Sequence, residues 1–192
     1  QFYIQFHKVK MDNAVMSVVS VAMCRELGAV LTALMVSGRV GAAMAAQLGT
    51  MKVTEQIDAL RTLATHPIDF LVAPRLLATL ITLPLLTAEA IAIGMAAGMA
   101  VAVYLLGLDP VFLWTNMVFY TWSEDVLMGL IKAFIFAGII GTVSCYKGMN
   151  CGQGAEGVGR ATTEAVVTSS IIILISNFFV TLILNKILIF SD

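Results

Sequence analysis

An all-α integral membrane fold is predicted by three observations on the sequence. Of 192 residues, 59% are hydrophobic and 12% charged, where a soluble domain carries about 25% charged residues. The apolar residues fall in blocks long enough to cross a hydrocarbon core of roughly 30 Å. Inside those blocks, small residues recur every four positions, the spacing that lets membrane helices approach closely. Mean hydropathy of +0.94 agrees. These features predict a single transmembrane domain over residues 1–192 with about four spans. A net charge of −1 leaves no basic stripe to neutralise phosphates, which excludes a nucleic-acid partner.

Each element can be justified in turn. Gln1 to Asn13, QFYIQFHKVKMDN, mixes aromatic and basic side chains and reads as an interfacial segment. Because the chain opens on Gln1 without a signal peptide, it is expected to be the later part of a longer polypeptide. The first span starts near Ala14 and runs through Leu34 or beyond, with Arg25 and Glu26 inside it. A charge at the bilayer centre costs at least about 2.5–3.5 kcal/mol, so such residues face a protein interior or a wet cavity. They mark either function or a structural pair, with each other or with a neighbouring helix.

From Gly38 the pattern turns to packing. Gly41, Ala45 and Gly49 form one row of small residues, and Gly38, Ala42 and Ala46 another. Arg39 sits within this run and could snorkel to lipid phosphates. Thr54 to Thr65 then reads as a short amphipathic helix, with Val53, Ile57, Leu60 and Ala64 on one apolar stripe. Thr54 is expected as its N-cap and Pro67 as its end. Glu55 and Asp58 near the start and Arg61 towards the end suit the helix dipole. An acidic leading edge favours a protein partner over a membrane surface, since surface-seeking helices tend to be basic.

The second span runs from about Val72 or Pro74 to Tyr104, with Pro84 predicting a kink. Gly94 and Gly98 form a GxxxG packing signal. Glu89 is a further intramembrane carboxylate without an obvious local partner. Leu105 to Asp125 is short and aromatic, as expected of an interfacial or re-entrant helix. The third span, Val126 to Tyr146, carries Lys132 roughly on the face of Asp125, two turns away. Lys147 to Arg160 reads as a flexible loop. Its GQGAEG matches a dinucleotide pattern, but an apolar helix precedes it where that motif needs a strand. The last span covers about Thr163 to Phe190, with Asn177 as its polar group. Lysine and arginine in the loops place the Lys52–Arg75 and Lys147–Arg160 connections in the cytoplasm. Lys8 and Lys10 dissent.

Catalytic chemistry finds no support. His7 and His66 are the only histidines, no phosphate loop of the Walker type occurs, and Cys24, Cys145 and Cys151 form neither a disulfide pattern nor a metal site. The reading is a transport subunit without an ATPase site, holding no metal or cofactor. Two further classes stay open: a gradient-driven secondary transporter using Glu26, Glu89 and Lys132 as a proton relay, and a structural membrane scaffold.

RELGAVLTALMVSGRVGAAMAAQLGTMKVTEQIDALRTLATHPIDFLVAPR, from Arg25 to Arg75, resembles the MlaE/YrbE-type permease family of lipid ABC transporters, which work with MCE proteins. PLLT (Pro84 to Thr87), GLIKAFIFA (Gly129 to Ala137), CYKG (Cys145 to Gly148) and GAEGVGRATTEAVVTSS (Gly154 to Ser170) extend the similarity over nearly the whole chain. The resemblance implies five spans plus an N-terminal interfacial helix; this chain would lack that helix and the first span. It implies a homodimer in the bacterial inner membrane, with a cytoplasmic coupling helix and a periplasmic interfacial helix. An ABC ATPase (MlaF-like) binding ATP and Mg would dock below, and a periplasmic MCE-domain protein (MlaD-like) would sit above. A STAS-domain protein (MlaB-like) joins in some systems. The substrate would be phospholipid, in the service of outer-membrane lipid asymmetry. Thr54, Glu55, Gln56, Ile57, Asp58, Leu60 and Arg61 fall in the coupling element. Arg25, Glu26, Asp125, Lys132 and Arg160 match polar positions at the lipid pocket or gate. Asn177 stands where many relatives carry an acid.

Overall fold

A computed structural model describes residues 14–188, with side chains to Lys186; the interfacial segment expected over Gln1 to Asn13 lies outside them. Among the described residues there are six helices and no strand. Helix α1 spans Val15–Val53, α3 Ile68–Tyr104, α5 Ser123–Met149 and α6 Gly154–Leu188. All four are long and apolar enough to cross a membrane. Two short helices join them at opposite ends: α2, Gln56–Thr62, between α1 and α3, and α4, Pro110–Tyr120, between α3 and α5. At 1.5 Å per residue the 39-residue α1 is roughly 58 Å long, so it projects well beyond a 30 Å hydrocarbon core.

The four long helices meet along buried aliphatic and small side chains. Ala29, Ala33 and Met44 of α1 pack with Leu83 of α3, Phe136 and Ile140 of α5, and Ile173 of α6. Large apolar residues on the outside stay exposed, among them Leu31, Ile93 and Phe178. That inversion suits a lipid-facing surface. The small-residue row on α1 behaves as its spacing predicts. Gly41 meets Ser144, and Gly49 lies against Cys151 and Val158. A Cβ on Gly148 would sit 2.8 Å from the carbonyl oxygen of Ala45, so α5 needs glycine there. On α3, Gly94 faces Met23 and Gly98 faces Met16. Gly38 is a correction: it is exposed, and a Cβ there would meet nothing within 4 Å. Ala42 and Ala46 of the same row are half-buried.

Helix α1 carries two π-helical turns, Met23–Leu27 and Ser37–Gly41. Such bulges widen the helix by one residue and recur at functional sites. The first holds Arg25 and Glu26; the second holds Arg39, which is exposed. Helix α3 continues through Pro84 unbroken.

Three boundaries differ from expectation. Thr54 does not cap α2: its hydroxyl donates back to the Thr50 carbonyl at 2.9 Å and finishes α1. Glu55 is the N-cap instead, in the left-handed region at φ 60, and makes the sharp corner between the helices. Pro67 does not end α2 either. The chain turns at Leu63 and Ala64, the latter at φ 56, and Pro67 opens α3. The expected loop from Lys147 to Arg160 shrinks to Asn150–Gln153, because α6 begins at Gly154. Gly157 makes this tight connection possible, since a Cβ there would run into the backbone of Gly152.

Candidate functional site

At the α4 end of the bundle, residues far apart in sequence converge on one polar network. Arg25 and Glu26 do not pair with each other. Adjacent positions on a helix point in different directions, so each reaches a different partner on α5. Arg25 Nε donates to Asp125 Oδ1. Lys132 Nζ donates to Glu26 Oε1 at 2.7 Å and to the Arg25 carbonyl at 2.8 Å. That carbonyl lies in the π turn, where Gly28 N–H bonds five residues back to Met23 rather than four. Close approach of α1 to α5 depends on Gly129, whose missing Cβ leaves room for the Cys24 carbonyl.

Burial explains why these charges are paired. The Lys132 side chain is 0% exposed and that of Asp125 3%, against 37% for Glu26 and 35% for Arg25. A lone charge at such depth is strongly unfavourable, and pairing with further hydrogen bonds offsets the loss of water. Asp125 has two tasks. Its second oxygen accepts the Trp122 N–H at 2.9 Å, the carboxylate half of a capping box at the start of α5.

Two residues from α6 complete the network. Asn177 Nδ2 donates to Glu26 Oε2 at 2.8 Å, and the Thr181 hydroxyl lies between Glu26 Oε1 at 3.0 Å and the Asn177 carbonyl at 2.7 Å, two acceptors that share its one proton. Thr181 is a site residue that the sequence did not single out. Its only signal is the four-residue spacing from Asn177, which puts both on one helical face. Beside the network lies a cavity of about 960 Å³ whose lining includes Arg25, Glu26, Phe112, Tyr120, Met128 and Thr181. It therefore offers apolar and aromatic surface next to a fixed set of charges.

Arg160, grouped with the lipid pocket or gate, does not line this cavity. It lies near the start of α6, at the α2 end, where its Nε donates to Glu164 at 2.8 Å; Lys147 donates to the same carboxylate at 3.0 Å. Lys147 is 22 positions beyond Asp125 on α5, roughly 33 Å along the helix. Glu89 is also apart: it is exposed on the outer side of α3 and has no ion-pair or hydrogen-bond partner among the described residues. Glu26 and Lys132 meet, but the expected relay lacks its third member.

Helix α2 lies at that same far end. Ile57, 4% exposed, is buried with Leu48, Leu71 and Cys145, and Leu60 packs against them. Ile57 and Leu60 thus seat α2 on the bundle, so their part in the coupling element is to hold the helix rather than to face a partner. The outward face carries Glu55, Gln56, Asp58, Arg61 and Leu63, all exposed. Arg61 and Asp58 pair at 3.0 Å across this face.

Fold and site together define a multi-pass, all-α membrane protein with a charged network beside an open cavity. The chain belongs to the MlaE permease family, whose model ("Permease MlaE") matches residues 1–183. It is 48% identical over 187 residues to a probable ABC transporter permease protein of Rickettsia typhi, covering 97% of this chain and 72% of that protein. It is 36% identical over 185 residues to the intermembrane phospholipid transport system permease protein MlaE of Haemophilus influenzae, covering 96% and 71%. It is also 38% identical over 180 residues to the chloroplastic protein TRIGALACTOSYLDIACYLGLYCEROL 1 of Arabidopsis thaliana, covering 93% and 51%.

Proposed function

We propose that this chain is the permease subunit of an ABC transporter that moves phospholipids between the bacterial inner membrane and a periplasmic MCE carrier, maintaining outer-membrane lipid asymmetry. The observation that carries the proposal is the 960 Å³ cavity beside Arg25 and Glu26, in a chain whose relatives are named as ABC and phospholipid permeases. A phospholipid needs apolar walls for its acyl chains and a polar place for its head group. This cavity supplies both.

In this reading the α2 end faces the cytoplasm and the α4 end the periplasm. The ATPase, carrying ATP and Mg, docks on the exposed face of α2 through Glu55, Gln56, Asp58 and Arg61. Because Ile57 and Leu60 lock α2 to α1, α3 and α5, a push on α2 moves the bundle as one body. Two copies of the chain form the permease, and the MCE-domain protein sits at the α4 end. The chain itself hydrolyses nothing and holds no cofactor.

Reconstitution of the complete transporter in proteoliposomes tests this. Phospholipid passage between the bilayer and the soluble MCE domain should require ATP and disappear in an ATPase-dead complex. Passage driven equally well by a pH gradient without ATP would overturn the proposal in favour of a secondary transporter.

A further inference from the structure

Arg25 and Glu26 both line the cavity, and their unused bonding capacity is opposite in sign. Arg25 uses only Nε, on Asp125; the rest of its guanidinium fork has no partner among the described residues, and the side chain is 35% exposed. An open guanidinium edge matches the paired oxygens of a phosphate. Glu26 accepts hydrogen bonds from Lys132 and Asn177 and at most a third from Thr181, whose one proton the Asn177 carbonyl shares, and its side chain is 37% exposed. An ionised carboxylate has about four lone-pair sites, so capacity for one more donor remains.

Both groups are fixed from behind by partners that are almost fully buried, so neither can turn away from the cavity without leaving a charge unpaired. The charges of Arg25, Asp125, Glu26 and Lys132 also sum to zero. A net anionic ligand gains no overall attraction from such a set. A ligand carrying its own cation and anion gains at both ends.

We propose that the cavity selects zwitterionic phospholipids whose ammonium can donate a hydrogen bond, the ethanolamine class, with phosphate on the Arg25 fork and ammonium on Glu26. A choline head has the charge but no N–H to complete Glu26. A glycerol head has donors but no cation. This inference rests on the lipid-permease reading above and adds the head group to it.

The test loads the complete purified transporter, in detergent, with an equimolar mixture of phosphatidylethanolamine, phosphatidylcholine and phosphatidylglycerol of matched acyl chains. Retained lipid is quantified by mass spectrometry after washing. Ethanolamine lipid should be retained about tenfold over choline lipid, the value of one charge-assisted hydrogen bond. Phosphatidyl-N,N-dimethylethanolamine, which keeps a single N–H, should be retained like the ethanolamine lipid. The charge-balanced double variant Glu26→Gln/Lys132→Met should retain lipid but level the preference to within about twofold. Equal retention of all head groups by the unaltered transporter would overturn the head-group proposal and leave the lipid reading standing. Retention of no lipid at all would overturn the lipid reading itself. The dimethyl lipid needs no mutation, so the inference stays open to refutation even if the double variant does not fold; its retention at the choline level would sink the hydrogen-bond argument.

Discussion

The two ends of the bundle use charge in opposite ways. At the α4 end, Lys132 and Asp125 are almost wholly buried and each holds a residue of the π turn in α1. At the α2 end, the Arg61–Asp58 pair is more than 60% exposed on both sides, and Arg160 is 81% exposed where it meets Glu164. Buried pairs become strongly destabilising when one partner is lost, because the other charge stays behind. Exposed pairs contribute little, with a median of about 0–1 kcal/mol. The first kind fixes the shape of a cavity; the second leaves a surface available to another molecule. The same residue types thus build a cavity wall at one end and an outward face at the other.

This contrast can be broken by mutation. The largest effect is expected at Glu26, where Glu26→Ala strands Lys132 and should cost about 3 kcal/mol, the low end for a buried pair because Glu26 is partly exposed. Thermal unfolding in detergent reads this. Lys132→Met should cost less, since Glu26 keeps Asn177 and Thr181 as donors; the reverse order would mean that the pair is not buried as described.

Next come Ile57→Asp and Leu60→Asp together. Removing both anchors from the shared core should release α2 with a local loss of about 2–3 kcal/mol and abolish co-purification of the ATPase, while the α4-end cavity stays intact. Retention of the ATPase would show that the seat of α2 is not what presents the docking face. Gly148→Ala should follow, at about 1–2 kcal/mol, because the new methyl group meets the Ala45 backbone and Leu48 at 2.8 Å. The smallest change in stability is expected for Arg61→Ala, within about 0.5 kcal/mol, yet it should weaken ATPase binding in a pull-down titration. A stability loss as large as that of Glu26→Ala would erase the distinction between the ends.

Much of this was legible in the sequence because membranes constrain helices so strongly. The number of long apolar helices and the shared face of Asp125 and Lys132 followed from hydropathy, length and seven-residue spacing. What sequence periodicity could not supply was pairing across helices. Nothing in the adjacent charges of Arg25 and Glu26 says that they reach different partners, because that depends on the π turn and on the room left by Gly129. The distance of Arg160 from the cavity was hidden for a related reason: charge type alone does not give depth, and its depth follows from α6 beginning at Gly154. The α2 corner was missed because Glu55 adopts a left-handed conformation that favours glycine, so no turn signal announced it. Of the expected apolar stripe only Ile57 and Leu60 are on α2 and packed; Val53 and Ala64 lie beyond its ends and are exposed. Periodicity identifies a buried face but not the body against which it is buried.

Site-specific photocrosslinking tests the division between the ends most directly. A benzophenone amino acid is placed at Phe112, which lines the cavity, and separately at Asp58, on the outer face of α2, in the assembled transporter. Mass spectrometry then identifies the adducts. Phospholipid on residue 112 and the ATPase on residue 58 are the results expected. ATPase-free products at 58, or only protein adducts at 112, would contradict a bundle that holds lipid at one end and is driven from the other.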